Sequence, residues 1–240
     1  MTATRRRCVF CRAEGASEEH VFAKWISDVV PGEGTFLHQS DEPGRRAKPN
    51  KIIAITNRAT CGPCNTGWMS DLEDQASRIL KRMFDEKVSL SLSGDSLRLL
   101  SRWCMKTALM IQFIRDVRAI PEAVYDQFFE ARTPPTNSLG FIARHAGLIS
   151  NGANSILYGI NAGRPDQGQL YGVTFFIKNV VVQVIGANFD RGLNIRLPHA
   201  FTGQVQPLWP ETGSVTWPPG TRLDDQSVLA FARSLLELQG

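Results

Sequence analysis

The chain of 240 residues is 42% hydrophobic and 21% charged, a balance that supports one large or two modest cores and excludes disorder, coiled coil and collagen. No apolar run approaches the roughly 20 residues of a membrane helix, and the N-terminus lacks the apolar core of a signal peptide, so a cytoplasmic protein with no membrane partner is expected. The net charge of +4 permits a polyanionic partner without requiring one.

Taken in order, the chain opens on a basic tract, Arg5, Arg6 and Arg7, and runs directly into Cys8-x2-Cys11. A second pair, Cys61-x2-Cys64, follows much later, and the fifth cysteine, Cys104, sits beside Trp103 where it reads as core. Under reducing conditions such pairs favour a metal over disulfides. Each short knuckle points two sulfurs at one ion, and two knuckles close a tetrahedral thiolate cage suited to Zn²⁺. Cys8, Cys11, Cys61 and Cys64 are therefore the expected ligands of a structural zinc, which ties the first third of the chain into one unit.

Between the pairs, Glu19-His20-Val21-Phe22 leads into an apolar patch with Trp25 and Ile26. The segment 31–50 is rich in Gly, Pro and charge, with Arg45, Arg46 and Lys48 followed by Lys51; it is long for a loop of a compact domain and predicts a binding excursion or local disorder. Residues 51–56 (KIIAIT) read as a short strand delivering the chain to Cys61. From Asn65, a suitable N-cap, the apolar residues Trp68, Leu72, Ala76, Ile79, Leu80 and Met83 recur at helical spacing. Asp71, Glu73 and Asp74 place negative charge in its early turns.

Small polar residues across 88–95 mark a boundary, giving an expected division into residues 1–86 and 87–240. In the second part a helix carries Leu97, Leu100, Trp103, Thr107, Ile111 and Ile114, and another begins at Pro121 and carries Val124, Tyr125, Phe128 and Phe129. The period then changes to two, predicting strands over 139–144, 155–160, 170–177 and 180–186, with Lys178-Asn179 as a tight hairpin turn. An irregular Trp- and Pro-rich connection over 207–220 precedes a last helix over 225–238. The expected class is α+β: a zinc module, then an accessory domain of helices followed by antiparallel strands.

The residues Cys8-x2-Cys11, Glu19-His20-Val21-Phe22-Ala23-Lys24-Trp25 and Cys61-x2-Cys64-Asn65-x-Gly67-Trp68-Met69-Ser70-x-Leu72-Glu73 together resemble the zinc-containing HNH endonucleases, in particular bacterial and phage proteins with EHVFPKW-like and CNNGWMS-like motifs. The likeness covers about the first third of the chain. It implies a ββα-metal (treble-clef) fold and metal-dependent hydrolysis of DNA, with RNA a possible substrate. Carried over, His20 would be the general base, its ordinary pKa of about 6.5 suiting it to take a proton from water. Glu19, where Asp is commoner, and Asn65 would offer oxygens to a catalytic divalent ion such as Mg²⁺. Asn57 is the best match to the middle Asn of the family's name. Lys24 and Arg58 are candidate phosphate contacts from their positions alone, and His38, His145 and His199 receive no role.

A second reading keeps the four cysteines and dispenses with catalysis: a zinc-stabilised scaffold that binds nucleic acid or protein. It tolerates loss of Glu19, His20 and Asn65. The nuclease reading needs all three at one solvated notch.

Overall fold

A computed structural model describes residues 7–30, 35–40, 48–51, 55–114, 120–149, 151–159, 169–187, 201–210 and 213–234. Past the first cysteine knuckle come strand β1 (Ser17–His20) and the short helix α1 (Ile26–Val29). The loop-like segment holds backbone pairing after all: β2 (Thr35–Ser40) and β3 (Lys48–Lys51) form an antiparallel hairpin. The strand expected over 51–56 falls partly outside the described residues, and the strand that reaches Cys61 is β4 (Thr56–Thr60), paired antiparallel with β1. Its polar residues Asn57 and Arg58 hide it next to the β-branched run upstream.

Cys61 is the N-cap of α2 (Gly62–Cys64), and Pro63 occupies the first turn, where its missing N–H costs nothing. Asn65 is therefore inside the helix, its own N–H donating to Cys61 O at 3.0 Å, and is not the expected cap. A π-helical stretch over Asn65–Met69, with the backbone leaving helical geometry at Gly67, joins α2 to α3 (Ser70–Met83). Leu72, Ala76, Leu80 and Met83 form the buried stripe of α3, as the periodicity predicts.

The second half follows as β5 (Leu90–Leu92), α4 (Asp95–Ile111), α5 (Glu122–Ala131), β6 (Ser138–Arg144), β7 (Asn151–Gly159), β8 (Gln169–Ile177) and β9 (Val180–Ala187). Ile177 and Val180 pair across the two-residue turn Lys178-Asn179, with Lys178 at a φ of 53°. Two short strands, β10 (Val205–Trp209) and β11 (Val215–Trp217), occupy the region expected to be irregular, and α6 (Asp225–Arg233) closes the described chain. β10 can contain Pro207 because it is an edge strand, where a ladder donor is dispensable.

Seven strands form one sheet in the order β10-β6-β9-β8-β7-β2-β3, antiparallel throughout except for β2 beside β7. The architecture is mixed helix and sheet, in agreement with an α+β class. The hairpin β2-β3 comes from between the cysteine pairs yet extends the sheet built by the C-terminal half. One hydrophobic core likewise runs from Cys8 and Phe10 through α3 and α4 to Val184 and Trp217, across the expected boundary at residue 86. A smaller core on the other sheet face joins Phe141, Val181 and Ile185 to Val228 and Phe231 of α6. Cover on both faces is why β9 is buried along its whole length, its one polar side chain, Gln183, donating to Thr174 Oγ1 and to Phe231 O.

Polar contacts tie the two parts as well. The carbonyl of Met83, at the end of α3, accepts from Asn179 Nδ2 at 2.9 Å and from Trp217 Nε1 at 3.0 Å. An orphan carbonyl of a helix end is thus met by two distant segments. Asp225 accepts from the backbone N–H groups of Leu148 and Ile149 and lies 2.9 Å from His145 Nε2, which gives His145 an anchoring partner that sequence alone does not reveal.

Candidate metal centre and the strand beside it

Cys8, Cys11, Cys61 and Cys64 meet: their sulfurs all lie within 4.8 Å of one another, and those of Cys11 and Cys61 are 3.5 Å apart. A disulfide would need about 2.0 Å. Sulfurs at the corners of a tetrahedron with metal bonds of about 2.3 Å stand roughly 3.8 Å apart, so the spacing is that of a metal cage. The first knuckle closes by the bond from Arg12 N to Cys8 O at 3.1 Å, with Arg12 in the left-handed region at a φ of 59°. The second uses the helix start, where free N–H groups favour thiolate charge.

Burial pushes the thiols of Cys61 and Cys64 up; for Cys8 the same burial is outweighed by backbone N–H groups of Cys11, Cys61 and Phe10, which hold it down. Four sulfurs in so dry a place do not all ionise without a cation among them. The cluster could hold a metal ion such as zinc. Cys104 is fully buried and does not belong to the four-sulfur group, as expected of a core residue.

Helix α5 seals the cluster. Phe10, between the first two cysteines, meets Trp68 edge-on at a centroid distance of 5.1 Å and also packs on Tyr125, Phe128 and Phe129. Arg12 forks onto Asp126 with bonds of 2.9 and 2.8 Å. Trp25 lies against Phe84, with Lys81 above its ring.

Beside the cage, β1 presents its two faces differently because successive side chains of a strand alternate. Glu18 points outward, its side chain 61% exposed, where it accepts from Thr56 Oγ1 at 3.1 Å and lies 3.9 Å from Arg58 Nη2. Glu19 points inward, 6% exposed, and accepts from Thr60 Oγ1 at 2.6 Å. His20, half-buried, ends the strand opposite Thr56, and its Nδ1 is buried without a partner. Asn65 donates through Nδ2 to Ser17 Oγ at 3.2 Å and to the Glu18 carbonyl at 3.3 Å. The helix following the last cysteine is thereby pinned to the strand that carries His20.

Glu19 is the expected site residue that the fold withdraws. Burial raises its carboxyl pKa, while the Lys106 ammonium and the Thr60 hydroxyl act in the opposite direction. It belongs to an interior group in which Lys106, 1% exposed, pairs with Glu73, and Glu73 also accepts from Trp103 Nε1 at 2.7 Å. In the sequence Glu73 enters only as a charge of the early helix turns and the last residue of the second motif, and Lys106 receives no role. The signal was there in Lys106, a lysine inside the apolar run Trp103-Cys104-Met105-Lys106-Thr107-Ala108.

Asn57 accepts from Ala59 N at 2.9 Å and shapes the strand locally. Arg58 is exposed near Glu18 and Lys24 is exposed beyond His20, so both remain on the outer side of the unit. No helix among the described residues is long and apolar enough to cross a membrane. Compared with known proteins, the chain matches no family model, no curated protein and no solved structure.

Proposed function

We propose that the N-terminal unit is an HNH-type endonuclease module of ββα-metal, treble-clef architecture that hydrolyses DNA phosphodiester bonds. Zinc on Cys8, Cys11, Cys61 and Cys64 is its structural ion, closed to substrate by four thiolates. The observation that carries this reading is the bond pair from Asn65 Nδ2 to Ser17 and to the Glu18 carbonyl. With the amide nitrogen spent on β1, the amide oxygen is left for a ligand beside the strand that ends in His20.

In this reading His20 accepts the proton of the attacking water. Asn65, with the outward carboxylate of Glu18 in place of the buried Glu19, would hold a hard divalent cation such as Mg²⁺, which takes oxygen donors readily. When bound, that ion supplies charge neutralisation at the scissile phosphate and its leaving oxygen. Arg58 and Lys24 offer positive charge to flanking phosphates.

One observation favours the non-catalytic alternative, a zinc-stabilised module that binds nucleic acid or protein: the acidic residue directly before His20 is used up inside the fold. Incubating zinc-loaded protein with supercoiled plasmid, linear DNA and RNA over a series of divalent ions separates the two. We expect nicking with Mg²⁺ or Mn²⁺, and a loss of about 10²- to 10⁴-fold in His20→Ala at unchanged zinc content. Full cleavage by His20→Ala removes His20 from the mechanism. Binding without any cleavage by the wild type replaces the nuclease with the binding module.

A further inference from the structure

One cation, stacked on the ring that follows the second cysteine pair, has no part in the proposed reaction. Arg132 follows α5 in the left-handed conformation, at a φ of 55°, while its N–H still donates to Phe128 O at 2.9 Å. Its guanidinium carbon lies 4.2 Å from the Trp68 ring centroid and 4.1 Å from that of Phe129. Trp68 stands one helical turn beyond Cys64, and it is the ring that Phe10 of the first knuckle meets. The guanidinium is thus pressed onto an aromatic wall raised on both cysteine pairs.

Stacking of this kind leaves the edge of the guanidinium free to donate. Yet Arg132 Nη1 is buried and has no hydrogen-bond partner. A charged donor left unmet in the interior is costly, so an acceptor or a negative charge is called for. Burial holds the Arg132 guanidinium below its ordinary pKa, and Arg102 adds to that effect, whereas negative charge on Cys64 and Cys11 opposes it. A divalent ion on four thiolates carries two net negative charges, and the sulfurs are where that charge resides.

We propose that Arg132 is the outer-sphere counter-cation of the metal centre, meeting the thiolate charge of Cys64 and Cys11 with its unpartnered Nη1–H. It acts as a positioning residue: it holds no metal itself, and it makes the thiolates weaker donors to protons and electrophiles while keeping them on the ion. An arginine suits this place better than a lysine because the planar head can stack on Trp68 and Phe129 and donate in its own plane. The inference rests on the metal-centre reading and is independent of the nuclease reading.

The test loads the full chain with zinc and, separately, with Co²⁺, and compares wild type with Arg132→Gln and Arg132→Lys. Loss of an outer-shell partner typically weakens metal affinity about 10- to 100-fold, and that loss is expected in chelator competition with Arg132→Gln. The sulfur-to-cobalt charge-transfer bands should move to longer wavelength in Arg132→Gln, because thiolates without a neighbouring cation give up electron density more easily. Arg132→Lys should restore part of both effects. Arg132→Met replaces Arg132→Gln, with the same two readouts, if the latter does not fold. Wild-type affinity together with unshifted bands in the uncharged variant overturns the proposal. A wild-type chain that takes up no metal overturns the metal centre itself, a separate result.

Discussion

Removing Glu73 should destabilise the protein far more than its place in the middle of a helix implies. The change Glu73→Leu leaves the Lys106 ammonium, 1% exposed, without its ion-pair partner, and the Trp103 indole N–H without the acceptor 2.7 Å away. Breaking a buried pair from one side costs about 3–5 kcal/mol, and the unmet indole donor adds about 1 kcal/mol. Glu19 moderates the loss, because the charges of Lys106 and Glu19 attract and that carboxyl can ionise towards the ammonium. The expected net loss is about 3–4 kcal/mol, which for a chain of this size lowers Tm by roughly 6–16 °C. Replacing both members, Glu73→Leu with Lys106→Met, should recover most of the loss, since apolar pairs often substitute for buried ion pairs without net cost. Thermal and denaturant unfolding of the metal-loaded protein, followed by far-UV circular dichroism, measures both variants. A single variant within about 1 kcal/mol of wild type, or a double variant no better than the single, refutes the reasoning.

Cys61→Ser should abolish metal uptake and, because the thiols share a core with α3, α4 and α5, loosen the knuckles, the β1-β4 pair and α5 together; hydrogen exchange reads this as lost protection in all three. Protection lost in the knuckles alone would show that the core does not transmit the change. Glu19→Gln separates folding from chemistry. Burial raises the Glu19 pKa above its ordinary 4.5, so the folded state holds this proton more tightly than the unfolded state does. The resulting contribution to stability is complete below the ordinary carboxyl range and is lost as pH rises through the raised folded value. Glu19→Gln lacks that loss and should gain on wild type as pH climbs out of the acid range, in stability curves taken from acid to neutral pH; a constant difference contradicts the assignment. In the same variants, cleavage should survive Glu19→Gln and fail in Glu18→Gln, and the reverse order would return the metal-facing role to Glu19.

Much of the site is local and was therefore legible. The spacing of Cys8 with Cys11 and of Cys61 with Cys64 fixes two knuckles whatever the rest of the chain does, and the helical period over Leu72, Ala76, Leu80 and Met83 survives intact in α3. Asn65 lies directly after the last cysteine, but inside the helix and not at its N-cap. A cap and an interior helix residue have the same neighbours in sequence, and only the bond from Asn65 N to Cys61 O tells them apart. The hairpin β2-β3 gave no signal because its backbone pairs with a strand more than a hundred residues away, a partnership no local pattern encodes.

By itself, the order of residues determined where a metal could be gripped and which stretches coil and which extend, and it set an imidazole, two carboxylates and an amide on the segments that flank the cysteine pairs. Only the tertiary structure decided which carboxylate faces water: one residue of strand alternation sends Glu18 out and Glu19 in, and that choice depends on Thr60, Glu73 and Lys106 arriving from three separate elements. It also decided that α5 packs its aromatic residues onto Phe10 of the first knuckle and pairs Asp126 with Arg12. Chemistry at a site is set by burial and by distant neighbours, and both are properties of the packed chain.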